Sequence, residues 1–125
     1  MPSKAATLPL FLYLKLSESE GMVRMDRNTQ SALIRQSATM ASYAIEMPST
    51  VDMTCTKRDL KGYQASLTLI KGNDLEPFAK QAIVFVNATL KYIRYRTEKN
   101  LIEARKQRDS LAQMMTDALA EMGGI

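Results

Sequence analysis

Histidine and tryptophan are absent from this chain, and cysteine occurs once, at Cys55. Without histidine the commonest general base and metal ligand is missing, and one thiol cannot close an intramolecular disulfide. A zinc or haem centre has almost no ligands to draw on. Nor does the sequence hold a glycine-rich phosphate loop or a serine-nucleophile motif. An enzyme is therefore not expected, and no catalytic residue, metal ligand, cofactor or small-molecule substrate is assigned. Long apolar runs are missing as well. The stretch Leu8–Leu14 is interrupted by Pro9 and followed directly by Lys15. It falls well short of the roughly 20 apolar residues that cross a bilayer, and no small-residue cleavage pattern follows it. The expectation is a cytoplasmic protein with no membrane partner.

What is present suits one globular domain. The chain has 125 residues, 46% of them hydrophobic and 24% charged, with a formal net charge of +4. Leucines at 8, 10, 12, 14 and 16 alternate with Phe11, Tyr13 and Lys15, the period of an extended strand. "NTQSALIRQSATMASYAIEM" has a helical rhythm, with Ala32, Leu33, Gln36, Met40, Tyr43, Ala44 and Met47 on one stripe. Asn28 or Thr29 can cap its start, and Pro48 stops it. Val51, Met53 and Cys55 alternate, as do Tyr63, Ala65, Leu67 and Leu69 beyond a Gly62-containing turn, which predicts a β-hairpin. Cys55 then sits as an inert thiol on the apolar strand face. Gly72-Asn73-Asp74 closes this segment and can cap the next helix.

From Leu75 to Met122 no glycine occurs, and the one proline, Pro77, stands where a first helical turn accepts it. A continuous helix is favoured there, with Thr97–Asn100 as the place where it would otherwise break. Its first half is apolar all round, from Phe78 through Ile83, Val84, Phe85, Val86 and Leu90 to Tyr92 and Ile93, so it must be packed on more than one side. Beyond Arg96 a narrower seam of Leu101, Ala104, Leu111, Met115, Ala118 and Met122 resembles a heptad stripe, with Arg108 inside it. An uncovered seam invites a second copy, and an arginine within it needs an acid or a phosphate.

The fold class expected is α+β. A small antiparallel sheet, made of the N-terminal strand and the hairpin, is packed by one medium helix and one long C-terminal helix. That long helix projects as a coiled-coil-like dimerisation arm. In domain terms, residues 1–7 form a flexible lead, 8–74 the strand–helix–hairpin unit and 75–122 the long helix, with 97–122 as the oligomerisation arm of a homodimer.

Charge supplies the functional hint. Residues 91–108 carry seven basic and two acidic side chains, which leaves the rest of the chain slightly negative. Lys91, Arg94, Lys99, Arg105 and Lys106 fall on the face turned from the seam. Lys57, Arg58 and Lys61 in the hairpin turn can extend the patch. The expectation is a non-enzymatic binding protein that associates with nucleic acid, DNA or RNA, in a regulatory or packaging role. The alternative is a protein adaptor, chaperone or inhibitor, supported by nine methionines and adaptable thioether surfaces. A weaker option is a Mg²⁺ cluster from Asp52, Asp59, Asp74 and Glu76, residue types that also cap helices and turns. The segments "LFLYLKL" and "KGYQASLTL" resemble the strand motifs of RNA-recognition domains. Ala65 and Leu67 stand where that family has aromatics, and the family is not assigned.

Overall fold

The computed structural model describes residues 26–121, and all the regular structure in them is helical. Helix α1 spans Arg27–Glu46, a short 3₁₀ turn covers Pro48–Thr50, α2 spans Met53–Leu67, α3 Glu76–Arg94 and α4 Glu98–Glu121. The α+β expectation is thereby overturned. The segment assigned to a hairpin is helix α2, and the single long helix is two helices. The N-terminal strand at 8–16 and the lead at 1–7 lie outside the described residues, as does Met122.

Local chemistry accounts for each helix. Asp26 caps α1, its Oδ1 accepting the Thr29 N–H at 2.7 Å, and Pro48 follows the helix C-cap at Met47. Asp52 caps α2 by accepting from the N–H groups of Thr54 and Cys55 at 3.0 and 3.3 Å. Buried Thr56, Leu60, Tyr63 and Leu67 then recur at steps of four, three and four, which is the spacing of one helix face. Gly62 lies within α2, where glycine costs about 1 kcal/mol relative to alanine and is outweighed by this burial. The α2–α3 link turns at Gly72, whose φ of +75° is the left-handed region that glycine occupies freely. There Gly72 N–H donates to Glu76 Oε1 and Leu75 N–H donates to Asn73 Oδ1, both at 2.8 Å.

The helices run up and down. Gln64 on α2 meets Asn87 on α3 while Lys57 lies beside Ile93, and Gln81 on α3 donates to Gln107 on α4 at 2.9 Å while Asn100 meets Tyr95, so both pairs are antiparallel. Helix α3 touches the other three helices, while α1 contacts α2, α3 and, more lightly, α4. The many-sided apolar character of α3 is thus met by helices instead of a sheet, with Val84 left 43% exposed. Phe85, Val86, Leu33, Ile34, Leu60, Leu67 and Ile70 form the fully buried centre, joined by Ala41, Ala79, Ala82 and Ala104. Each large side chain there stabilises the fold by roughly 1.5–3 kcal/mol relative to exposure. Buried hydroxyls bond within their own helices: Ser37 donates to the Ile34 carbonyl and Thr89 to that of Phe85, each at 2.9 Å.

The seam of α4 faces this same core. Ala104 and Leu111 are buried, Leu101 and Met115 pack against the cluster, and Ala118 is half-buried. The chain covers its own seam, so the reason for expecting a projecting arm and a second copy falls away.

The candidate basic surface

The break at Tyr95–Thr97 is a built elbow. Thr97 caps α4 by accepting the Asn100 N–H on its hydroxyl at 3.2 Å. The Asn100 amide, nearly buried, donates to the Tyr95 carbonyl at 2.9 Å, and Thr97 N–H donates to that carbonyl at 2.8 Å. Neither glycine nor proline is involved. The pair Thr97 and Asn100, three residues apart, was the available signal.

The elbow reorganises the basic residues that sequence placed on one continuous face. Lys91 and Arg94 end α3, while Lys99, Arg105 and Lys106 belong to α4, which folds back. Lys57 and Arg58 are on the N-terminal half of helix α2 and Lys61 is near its middle, not in a turn. Together with Met53, Thr54 and Ile93 they line one shallow depression, so α2's cations lie beside the C-terminal end of α3.

One half of the bundle thus gathers the C-terminus of α1, the N-terminal parts of α2 and α4 and the last turns of α3. Among the described residues it holds ten Lys and Arg against the six acids Glu46, Asp52, Asp59, Glu98, Glu103 and Asp109. The opposite half holds only Arg27, Arg35, Lys71 and Lys80, against five acids. Its cleft between α1, α3 and α4 is lined by apolar Ile34, Leu75, Phe78 and Met115 with Arg27 and Arg35 at the rim. Arg27 is held there by Asp74 at 2.8 Å, and Lys80 by Glu76 at 3.3 Å.

Two of the ten cations are engaged. Glu46, the last residue of α1, receives Arg105 at 2.8 Å and also Arg108. Arg108 reaches Asp109 as well, at 3.2 Å. The two guanidiniums hold the Glu46 carboxyl below its usual range, and the same pairing raises Arg108. The seam arginine thus has its acid. Arg105, expected on the free outer face, is tied to α1. Among the described residues no carboxylate forms an ion pair with Lys57, Arg58, Lys61, Lys91, Arg94, Arg96, Lys99 or Lys106.

No family model, curated protein or solved structure matches this chain.

Aromatic rings accompany the unpaired cations, and the charge pattern did not reveal them. The Arg94 guanidinium lies 5.3 Å from the centre of the Tyr95 ring, and that of Arg96 lies 5.2 Å from the centre of Tyr92. Tyr95 is 53% exposed. The alternation Tyr92, Arg94, Tyr95, Arg96 was the readable signal.

The four acids weighed for a cation are dispersed. Asp52 caps α2, Asp74 pairs with Arg27, and Glu76 accepts from Gly72 and Lys80. Asp59 is partly buried on α2, which pushes its carboxyl up. Among the described residues no group of three or more potential ligands is placed to hold a metal ion, and no helix is long and apolar enough to cross a membrane. Cys55 is half-buried on α2.

Proposed function

We propose that this protein binds nucleic acid without catalysing a reaction, through the basic half of the helical bundle. The observation that carries the reading is the meeting of the α2 cations Lys57, Arg58 and Lys61 with the C-terminal end of α3, where none of the three forms an ion pair with a carboxylate among the described residues. Cations already engaged by carboxylates gain little by meeting a phosphate. Unpaired exposed ones release the polymer's condensed counterions, which gives affinity with little sequence preference. The region most available for this lies on α2 and around the α3–α4 elbow, since Arg105 and Arg108 neutralise Glu46.

Fluorescence anisotropy with a labelled oligonucleotide tests the reading across a salt series. Binding at about 50 mM salt should fall steeply with added salt, with a log–log slope of about −0.7 to −0.9 per phosphate contacted. A double Arg58→Glu, Lys61→Glu variant should weaken binding and flatten that slope. Absence of binding at low salt would remove the proposal. The adaptor reading has its own support in Tyr43 on α1 and Met47 at its C-cap, side chains nearly half exposed beside Glu46. It predicts a protein partner whose binding survives high salt.

A further inference from the structure

The basic half of the bundle differs from a plain cationic surface at one place, the α3–α4 elbow. Tyr92, Arg94, Tyr95 and Arg96 meet there, with each arginine laid over a tyrosine ring. From these contacts the geometry points to a platform for unpaired bases, so that the polymer bound is single-stranded. This inference rests on the nucleic-acid reading and narrows it.

Phosphate contacts alone do not distinguish a duplex from a single strand. Ring faces do, because a duplex keeps its bases stacked internally and an unpaired base offers its face to an aromatic side chain. A guanidinium lying over a tyrosine occupies one side of the ring. The other side of the half-exposed Tyr95 ring, or the planar guanidinium of Arg94 itself, can take a base. The elbow is also ordered in advance. The Tyr95 carbonyl accepts from both the Asn100 amide and the Thr97 N–H, which fixes the backbone that carries the ring. A fixed backbone spares part of the ordering cost that a mobile loop would incur on binding. Lys91, one helical turn before Tyr95, and Lys99, in the first turn of α4, stand on either side of the platform in sequence, where they can meet the backbone phosphates.

The test compares a labelled oligothymidylate with a duplex of equal length by anisotropy at about 50 mM salt. The strand should exceed the roughly 4–16 nucleotides that a single-strand groove covers. The single strand should bind tighter than the duplex by about tenfold or more, the size of one stacked base. Tyr95→Leu should lose about that factor on the single strand and leave duplex binding unchanged. Tyr95→Phe, which keeps the ring, should bind as the parent does. Circular dichroism on each variant verifies the fold, which the half-exposed position of Tyr95 should leave intact. Equal or tighter duplex binding overturns the inference. So does unchanged single-strand binding by Tyr95→Leu, even if the Arg58→Glu, Lys61→Glu variant still binds weakly and the broader reading stands. If neither polymer binds, the broader reading falls and this inference falls with it.

Discussion

The side-chain amide of Asn100 donates a 2.9 Å hydrogen bond to the backbone carbonyl of Tyr95, five residues back across the bend between α3 and α4. That bond compensates for the break in the helix, since the Tyr95 carbonyl has no partner four residues onward. Asn100→Ala should destabilise the protein by about 1 kcal/mol, the usual net worth of such a bond. Amide exchange around Tyr95–Leu101 should quicken more than elsewhere. Denaturant unfolding and hydrogen exchange check both. An unchanged midpoint with uniform exchange would contradict this role.

Leu111 lies in the intramolecular core. Leu111→Ala should therefore cost about 2–5 kcal/mol. The unfolding midpoint should not depend on protein concentration, as it would if the seam joined two copies. Chemical denaturation at two concentrations a hundredfold apart decides between them.

Glu46 ties the end of α1 to α4, and its carboxyl is held below the ordinary value of 4.5 by Arg105 and Arg108. A depressed carboxyl contributes stability above its unfolded pKa, and that contribution is lost as the pH falls through its folded value. Glu46→Gln should thus lower the melting temperature at pH 7, with the gap to the parent closing below about pH 4.5. The pairs are substantially exposed, so the effect at pH 7 should be small and should shrink with salt. Thermal melts from pH 3 to 7 report it. A gap that persists at the acid end would contradict the pairing.

Charge reversal should separate the two halves of the bundle. Arg58→Glu with Lys61→Glu should reduce oligonucleotide affinity severalfold or more, whereas Arg35→Glu at the opposite end should change it little. Arg105→Glu is a poorer probe, because it also places two carboxylates together at Glu46. Affinity lost equally at both ends would mean that net charge, and not a site, drives association.

Stop signals and the place where the long helix could break were legible in the sequence; helix α2, and that the break is taken, were not. Pro48, Gly72 and Pro77 act as the pattern predicts, because the ring of proline and the positive φ of glycine dictate local geometry whatever the tertiary context. The hairpin expectation failed because Tyr63 and Leu67 satisfy both a period of two and a helical step of four. Of the deciding residues, Leu60 lay in the supposed turn and Thr56 fell just after the supposed first strand, off its alternating face. The buried stripe of α1 runs through Ile34, Ser37, Ala41 and Ile45 and not through Tyr43 and Met47. Small residues mark where helices approach closely, and a search for large apolar side chains passes over them. The elbow depends on a side-chain cap from Thr97 and a return bond from Asn100, neither of which is a helix breaker by type. The cations of the candidate surface were all visible as residues. Which of them share a surface, and which are engaged by Glu46, depends on how the helices fold back.

The most direct test of the central claim is a titration of the isotopically labelled protein with a short oligothymidylate, followed by amide chemical shifts. The account predicts that the resonances that move belong to Lys57, Arg58, Lys61, Lys91, Arg94, Tyr95 and Arg96, with Arg35, Lys71 and Lys80 still. Shifts concentrated at the opposite end, or none at low salt, would contradict it.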